Sequence, residues 1–245
     1  MTKIELNPKI EEATKESISQ YLKNLGQINL EQNVNNLMNI DGGFIDRFNY
    51  FTPLINDETR KKMLISGCSI GSEMIVAKKF DFEEIYGTEV TTEYVNIAKK
   101  RLANDNSMHV DLYDGARLPY TDDFFSMICS GHIIEHTKNP RSYIEEHLRT
   151  LKKGGFFFLE FPNRYNLIEL HTGEKSFEWL PLFLRNRLLK HLSKKKPLYN
   201  YVLKDLMPIS IWQIALYSFF SKDRGIITSI QIPATGYVRM LIKKI

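Results

Sequence analysis

Several features that would assign a protein to a specialised class are missing from this sequence. Two cysteines, Cys68 and Cys129, in 245 residues are too few for a disulfide-stapled scaffold or a typical structural zinc site. No run of about 18 apolar residues occurs, so we expect no transmembrane helix. The first residues lack the apolar core of a signal peptide, so the expected location is the cytoplasm. The sequence also shows no internal repeat and no low-complexity tract.

The excess of charge is small as well. The chain has 33 basic and 29 acidic residues, and a net charge of +4 does not by itself indicate nucleic-acid binding, which usually needs a concentrated basic face. We therefore expect no nucleic-acid partner. Hydrophobic residues make up 43% and charged residues 25% of the chain, which is typical of a soluble domain with enough apolar material for a core.

Short apolar strands alternate with helical segments between residues 61 and 163. This alternation predicts a parallel sheet with crossover helices on both faces. The run Phe156 to Leu159 is apolar without alternation, as expected for a strand that is buried on both faces. The predicted strands are 63–66, 84–87, 108–112, 125–130, 156–161, 226–232 and 237–242. The predicted helices are 7–24, 30–38, 72–80, 92–103 and 140–151, the last stopped by Gly154 and Gly155.

The loops after the first two strands carry residues that suit a nucleotide. Gly67 and Gly71 bracket Cys68 and Ser69, and glycines here let backbone N–H groups approach a ligand closely. An ordinary tight turn explains the same spacing. Glu89 ends the second strand, where a carboxylate can accept two hydrogen bonds from a ribose diol, although a surface carboxylate is the simpler interpretation.

The loops after the third and fourth strands add to this pattern. Asp114 can accept a hydrogen bond from an adenine amino group, and the small residues Gly115 and Ala116 leave room for the ring, although a plain turn has the same composition. His132 follows the fourth strand. An open α/β sheet binds its ligand outside the carboxyl ends of its strands, near this point.

In this order and spacing, the motifs resemble those of the class I S-adenosylmethionine-dependent methyltransferases, in the type 11 branch that acts on small molecules. The matching segments are Asp114–Tyr120, Glu135–His136, Leu151–Gly155 and Phe161–Asn163. The resemblance covers residues 61–173 and implies S-adenosylmethionine as cofactor and S-adenosylhomocysteine as product. The implied cofactor-binding residues are Gly67, Cys68, Ser69, Gly71, Glu89, Val90, Asp114, Gly115, Ala116, Ser130 and Gly131.

The sequence departs from the family pattern at two places. Ile65 stands where the family has an acid, two residues before the first glycine, and Ser69 stands where it has a second glycine. The first change removes a charge near the methionine part of the cofactor, and the second adds a small side chain. These departures leave open a binding or regulatory protein whose cofactor site has decayed.

The resemblance also implies a domain organisation and a fold. We expect a Rossmann-like, doubly wound, mostly parallel seven-stranded sheet with a helical cap before it and a helical lid inserted before its last two strands. The expected units are the cap (1–58), the cofactor-binding core (59–163), the lid or substrate region (164–224) and the final strands (225–245).

The expected reaction is in-line transfer of a methyl group to an oxygen of a small molecule or of a glycan or cell-envelope precursor. Proximity and orientation supply most of the acceleration, and a base is needed only for an acceptor that is not already anionic. The candidate bases are His132 and His171, which both follow strands at the expected rim. The alternative acceptor is a quinone or a lipid, with the enzyme docked on a membrane.

The segment His132–His136 also spells H-x-x-E-H, an inverted zinc-peptidase motif. That motif needs a continuous helix, whereas this segment directly follows a predicted strand, so we predict no metal site. Some quinone O-methyltransferases of this fold bind a divalent metal here through a glutamate at the position of His132, which keeps a metal role as an alternative.

Residues 179–204 contain seven basic and no acidic residues, interleaved with apolar ones. One interpretation is peripheral contact with an anionic membrane or a phosphorylated substrate. The simpler one, which we favour, is a substrate lid with solvated lysines. The apolar stretch 212–220 completes that lid or forms the interface of a homodimer. The basic residues are Arg185, Arg187, Lys190, Lys194, Lys195, Lys196 and Lys204.

Overall fold

The computed structural model describes residues 6–166, 179–192 and 207–245. Seven strands and eight α-helices occur in these residues, with short 3₁₀ turns between them. The strands are β1 (Lys62–Ser66), β2 (Glu84–Glu89), β3 (Met108–Leu112), β4 (Phe125–Gly131), β5 (Leu151–Pro162), β6 (Gly225–Gln231) and β7 (Tyr237–Lys244). The helices are α1 (Pro8–Asn24), α2 (Leu30–Met38), α3 (Gly43–Phe51), α4 (Ser72–Lys79), α5 (Thr92–Leu102), α6 (Pro140–Thr150), α7 (Leu182–Leu192) and α8 (Ile211–Phe219).

The strands form one sheet in the order β3-β2-β1-β4-β5-β7-β6. The pairs among β1 to β5 are all parallel, and β7 runs antiparallel to both β5 and β6. This confirms the predicted doubly wound, mostly parallel seven-stranded sheet. The chain leaves β1 toward β2 and β3 and then returns to β4 on the other side, so the carboxyl ends of β1 and β4 form a switch point.

Two apolar clusters fill the two faces of the sheet. Phe158 belongs to the cluster under α3, α4 and α5, and its neighbour Phe157 belongs to the cluster under α6 and α8. Both side chains are fully buried. This explains the unbroken apolar run of β5, because successive residues of a strand point to opposite faces and both faces are covered here.

The junction between α6 and β5 differs from the prediction. The helix ends at Thr150 and the strand begins at Leu151, so Gly154 and Gly155 lie inside the strand and do not stop the helix. A Cβ on Gly155 would lie 2.8 Å from the carbonyl oxygen of Ser126. The glycine therefore permits a close approach of β5 to β4, where the register of the two strands shifts.

The segment that we predicted as an N-terminal cap divides into two parts. Helices α1 and α2 pack over α5, through a cluster that includes Ile18, Val34 and Ile97. Helix α3 instead packs directly on the sheet, because Phe48 and Phe51 are fully buried in the core. Residues 43–51 are thus a layer of the sheet domain, whereas residues 8–38 cover its outside.

The predicted lid is described only in part. Helix α7 begins soon after Pro181, and α8 begins with a capping box between Ser210 and Gln213. His171, Lys194, Lys195, Lys196 and Lys204 lie outside the described residues. None of the helices in the described parts is long and apolar enough to cross a bilayer.

Candidate active site

The turn after β1 needs glycine at two positions. Gly67 and Gly71 have φ angles of +79° and +85°, in the left-handed region. A Cβ on Gly67 would lie 2.2 Å from Cδ1 of Ile133. The N–H groups of Gly67 and Cys68 both donate to the carbonyl oxygen of Thr88 at 2.9 Å, so the turn is fixed to the end of β2.

Both departures from the family pattern fit this turn. Ser69 has a φ angle of +48°, a left-handed backbone that suits glycine best and that serine adopts at a cost of about 1 kcal/mol. Its hydroxyl oxygen is buried and has no hydrogen-bond partner among the described residues. Ile65 is fully buried in the core, so an acid is replaced there by apolar packing.

Glu89 joins two of the predicted loops. Its Oε2 accepts the N–H of Ser69 at 3.0 Å, and its Oε1 accepts the N–H groups of Val90 and Thr91 at 2.8 and 2.9 Å. Glu89 as a whole residue is 9% exposed. Since a carboxylate offers about four acceptor positions, these three bonds leave one free. Glu89 is therefore both a structural tie and an available acceptor.

The loop after β3 is open to solvent. Oδ1 of Asp114 accepts the N–H groups of Ala116 and Arg117 at 2.8 and 3.0 Å, which lowers the pKa of this carboxyl. Oδ2 makes neither bond and is available to a ligand. A Cβ on Gly115 would meet nothing within 4 Å, so the space beside Asp114 can accept a flat ring.

At the end of β4, the side chain of Ser130 points into the protein interior, away from the predicted ligand position. The hydroxyl of Ser130 lies 2.7 Å from the Tyr143 hydroxyl, which is also 2.9 Å from the hydroxyl of Ser66. Ser66 in turn lies 2.9 Å from Nε2 of His147. This buried network ties the ends of β1 and β4 to α6, so only the backbone of Ser130 can serve the predicted ligand.

His132 lies next to Gly131 at the rim of the sheet. Its Nε2 is 3.0 Å from Oε1 of Glu160, and its Nδ1 is 3.6 Å from Oε1 of Glu135. The side chain is 30% exposed. A Cβ on Gly131 would lie 2.3 Å from the guanidinium carbon of Arg47, so that arginine covers the end of β4.

Three charged residues of this rim, Arg47, Glu160 and Arg239, were not predicted from the sequence. Arg47 donates to Glu160 at 2.6 Å and to Glu73 at 3.1 Å, and Arg239 donates to the other oxygen of Glu160 at 2.6 Å. The sequence did contain one signal of buried charge. Glu160 is the single charged residue in the apolar stretch 156–162, and a charged residue is rarely buried unless it is paired. Its partners Arg47 and Arg239 are 113 and 79 residues away in sequence, so the pairing itself was not readable.

The remaining candidates have other environments. Glu135 and His136 lie in a single 3₁₀ turn, Ile134–His136, so the H-x-x-E-H segment is not a continuous helix. No group of three potential metal ligands occurs in the described residues. Cys68 and Cys129 are buried and free, and burial raises the pKa of both thiols. This confirms the interpretation of both cysteines as core residues.

Comparison with known proteins identifies the sheet domain. Residues 64–159 match a family model described as a methyltransferase domain. The structure resembles an S-adenosylmethionine-dependent methyltransferase from Mesorhizobium loti, with a TM-score of 0.63 at 10% identity, covering 84% of this chain and 100% of that one. Residues 64–159 therefore resemble a methyltransferase domain of the type 11 family, and the sheet has the fold of S-adenosylmethionine-dependent methyltransferases.

Two curated methyltransferases resemble the sequence itself. Over 175 residues the chain is 29% identical to an ajmaline N-methyltransferase from Rauvolfia serpentina, covering 66% of this chain and 57% of that protein. Over 125 residues it is 25% identical to a ubiquinone/menaquinone biosynthesis C-methyltransferase from Neisseria meningitidis, covering 50% and 49%. The chain thus spans about half the length of the curated relatives it matches.

A third similarity concerns the fold alone. A geranyl diphosphate C-methyltransferase from Streptomyces coelicolor, in complex with Mg²⁺, geranyl diphosphate and S-adenosylhomocysteine, aligns with a TM-score of 0.58 at 11% identity, covering 82% of this chain and 79% of that one. The relatives therefore include N- and C-methyltransferases. At the carboxyl edge of the sheet of this chain, Glu89 keeps a free acceptor position, the space beside Asp114 is open, and the buried hydroxyl of Ser69 has no partner among the described residues.

Proposed function

We propose that this protein binds S-adenosylmethionine at the carboxyl edge of β1 to β4 and methylates a small molecule at the adjoining rim. The observation that carries the proposal is the position of Glu89, which ties the Ser69 turn to the start of α5 and keeps one acceptor position free. A ribose diol would donate to that position, and Asp114 would receive the adenine amino group. S-adenosylmethionine supplies an activated sulfonium methyl group when bound.

The residues around the proposed cofactor site suit a mechanism in which the enzyme accelerates methyl transfer mainly by positioning the cofactor and the acceptor. Gly67 and Gly71 let the turn approach the ligand closely, and the covering helices α1 and α2 lie over Ile70 of the same turn. Such positioning is the main source of acceleration when the donor is already activated. Our predicted acceptor is a hydroxyl oxygen of a small molecule or of a glycan or cell-envelope precursor. The relatives suggest an amine nitrogen or a carbon as the alternative.

Titration calorimetry with S-adenosylhomocysteine tests the cofactor site. We expect binding to the wild type and a loss of about 10- to 100-fold in affinity in Glu89→Gln, because a hydrogen bond to a charged group contributes about 1.5–3 kcal/mol. Glu93→Gln, an exposed acid in the first turn of α5, is the matched control and should bind like the wild type. Equal affinity in all three proteins would show that Glu89 is not at the site.

The second candidate function is methylation of a lipid or quinone at a membrane surface. The observation that favours it is a set of exposed apolar side chains on the basic segment: Trp179, Phe183 and Leu184 are 50%, 72% and 43% exposed. Arg187 and Lys190 are exposed on the same segment. Aromatic residues beside basic ones suit an interface with anionic lipid.

Liposome sedimentation separates this candidate from a simple lid. Vesicles that contain phosphatidylserine should retain the protein at low salt and release it at high salt, because screening weakens attraction between surface charges. Phe183→Ser should reduce the retained fraction. If the protein stays in the supernatant with these vesicles at low salt, the basic segment is not a lipid-binding surface.

A decayed cofactor site is the third interpretation. The structure offers a local reason for each departure, because Ser69 adopts the glycine-like backbone and Ile65 packs in the core. The turn therefore keeps its glycine-like shape despite both departures. The calorimetric experiment also distinguishes a decayed site from a functional one, because a protein with a decayed site would not bind S-adenosylhomocysteine.

A further inference from the structure

The amino edge of the sheet, opposite the candidate active site, carries a cluster of basic side chains. Lys153 lies near the start of β5, Lys222 and Arg224 precede β6, and Lys243 lies at the end of β7. Because β7 runs antiparallel to β5 and β6, these strands bring the four residues to the same edge. They line an open cleft of about 610 Å³, which we call the amino-edge cleft.

The cleft is far from the rim at which we propose that the cofactor binds. Phe156 pairs with Lys243 at the amino edge, and Pro162 pairs with Tyr237 at the carboxyl edge. At about 3.3 Å per residue of extended strand, the two pairs are about 20 Å apart. A ligand in the amino-edge cleft would therefore contact neither the cofactor nor the acceptor.

An irregularity in β5 shapes one side of the cleft. Where β4 advances from residue 125 to residue 127, its partner β5 advances from residue 151 to residue 156. The extra residues of β5 include Lys153 and Gly154, and Gly154 has a φ angle of +81°. A Cβ on Gly154 would meet nothing within 4 Å, so the backbone here borders open space. Lys153 thus lies on an unpaired part of β5 that faces the cleft.

The acids beside the cleft are held by other cations. Lys244 is buried, and its ammonium group lies 2.8 Å from a carboxylate oxygen of Asp123 and 3.0 Å from one of Asp223. Asp122, in the same loop as Asp123, lies 2.6 Å from the guanidinium of Arg149. In the described structure, none of these three carboxylates forms an ion pair with the four basic residues that line the cleft.

The cleft therefore has an excess of positive charge. Lys153, Lys222 and Arg224 are exposed and Lys243 is partly buried, and among the described residues none of them forms an ion pair with an acid. With Lys244 and its two aspartates included, the side chains carry five positive and two negative charges, a net charge of +3. Like charges held close together repel one another, so an anion that lies between them is stabilised.

Aromatic rings support two of these cations. The ammonium group of Lys243 lies 5.6 Å from the ring centre of Phe156, and the guanidinium of Arg224 lies 5.9 Å from that of Phe219. Such contacts attract a cation without cancelling its charge. Arg224 and Lys243 are thus positioned by their own neighbours and keep their charge available to a ligand.

We infer that the amino-edge cleft is a second binding site of this protein, for a soluble ligand with a diphosphate group. Phosphate oxygens accept strong, charge-assisted hydrogen bonds from ammonium and guanidinium groups. The volume of the cleft is in the range of small-molecule sites. Two linked phosphates can contact basic residues on β5, on β7 and before β6 at once, which a single phosphate cannot do as well. The inference does not depend on the proposed methyl transfer.

Titration calorimetry with inorganic pyrophosphate, at constant ionic strength and without divalent metal ions, tests the site. We expect saturable binding to the wild type and a loss of about 10- to 100-fold in affinity in the double variant Lys222→Gln/Arg224→Gln, because hydrogen bonds between charged groups are the stronger ones. Both side chains are exposed, so the variant should fold, and its urea unfolding midpoint checks this.

The double variant Lys99→Gln/Lys100→Gln is the matched control. It removes two positive charges from exposed residues in the last turn of α5 and should bind pyrophosphate like the wild type. If the wild type shows no saturable binding, or if both double variants bind with the same affinity, the inference is wrong. Lys153→Gln provides a second variant if the first does not fold, and it should weaken binding by about 10-fold.

Inorganic phosphate separates a diphosphate site from a general attraction of anions. At the same ionic strength, pyrophosphate should bind to the wild type at least about 10-fold more tightly than inorganic phosphate, because its two phosphate groups reach more of the four cations. Equal affinities for the two anions would contradict the inference, since the cleft would then select charge and not the linked pair of phosphates.

Vesicle sedimentation distinguishes a soluble ligand from a lipid headgroup. Vesicles that contain phosphatidylserine should retain the wild type and the Lys222→Gln/Arg224→Gln variant to the same extent, because the ligand of the cleft is soluble. If the variant is retained less than the wild type and the wild type does not bind pyrophosphate, the cleft is a membrane contact and the inference fails.

Discussion

Gly67 and Gly115 both have a left-handed backbone but different surroundings. Gly67 faces Ile133, with 2.2 Å to the position of an added Cβ, whereas nothing lies within 4 Å at Gly115. Gly115→Ala should therefore cost only the backbone preference, about 1 kcal/mol. Gly67→Ala should add about 1–3 kcal/mol for overpacking, measured as the free energy of unfolding in urea.

The comparison of the two variants is its own control, because both replace a left-handed glycine by alanine. Equal losses of stability would mean that the turn moves away from Ile133 at no cost. In that case the contact between the first and fourth loops is not what requires glycine at residue 67.

His147 makes the stability of the protein depend on pH. Burial lowers the pKa of His147 to about 4, and its Nδ1 lies 2.7 Å from the carbonyl oxygen of Tyr143. The folded pKa lies below the unfolded value of about 6.5. The stabilising effect of the neutral ring is therefore complete above pH 6.5, and it is lost as the pH falls toward 4, by up to about 1.4 kcal/mol for each pH unit.

Urea unfolding at pH 7.5 and pH 5 checks this sign. The wild type should lose more stability between the two values than His147→Gln, by about 2 kcal/mol, because the variant has no ring to protonate. His109→Gln, an exposed histidine on β3, should behave like the wild type. An equal loss in all three proteins would mean that His147 already carries its proton in the fold.

At the residue scale, the sequence predicted the loops better than the side chains within them. Glu89 and Asp114 follow strands and bond only backbone N–H groups within a loop or a neighbouring one, so their positions were readable from motif spacing. Arg47 and Glu160 pair across 113 residues, and single-sequence reasoning carries no information about such a pair. Ser130 is a predicted cofactor-binding residue, and its hydroxyl lies 2.7 Å from that of Tyr143, a contact that the sequence did not predict.

Helices α1 and α2 connect the outside of the protein to the predicted cofactor turn. Ile18 is fully buried in the same cluster as Ile70, which lies within the turn between Gly67 and Gly71. An ion pair between Glu11 and Arg101 at 2.7 Å holds α1 against α5. The covering helices thus support the turn from behind.

Ile18→Ala tests that coupling. It should cost about 2–5 kcal/mol of unfolding free energy through the cavity that it leaves, and it should also weaken S-adenosylhomocysteine binding because Ile70 loses its support. Ile28→Ala is the matched control, since Ile28 is 79% exposed, and should change neither quantity. A large loss of stability with unchanged affinity would mean that the turn does not depend on the covering helices.

At the element scale, the parallel strands and their helices were predicted within a few residues. A buried strand between turn residues leaves a clear pattern, and right-handed crossovers leave few topologies. The start of β5 was predicted too late, because Gly154 and Gly155 were interpreted as the end of the preceding helix. Glycine often follows the end of a helix, but here Gly155 lies inside the strand and permits a close approach to the neighbouring one. Helix α3 was not separated from the cap, since burial of Phe48 and Phe51 depends on distant strands.

At the scale of the whole molecule, the net charge of +4 is unevenly distributed. Residues 179–204 carry seven basic residues and no acid, so the rest of the chain sums to −3. Part of this segment, with Lys194, Lys195, Lys196 and Lys204, lies outside the described residues. The part that is described presents Trp179 and Phe183 to solvent beside basic residues, which keeps both the lid and the membrane interpretations as predictions.

A crystal structure of the protein with S-adenosylhomocysteine would show directly whether the cofactor binds beside Glu89. We expect the ligand to lie at the carboxyl edge of β1 to β4, with a ribose hydroxyl within hydrogen-bond distance of Oε2 of Glu89 and the adenine amino group facing Asp114. A ligand bound elsewhere, or bound at this edge without a contact to Glu89, would contradict it.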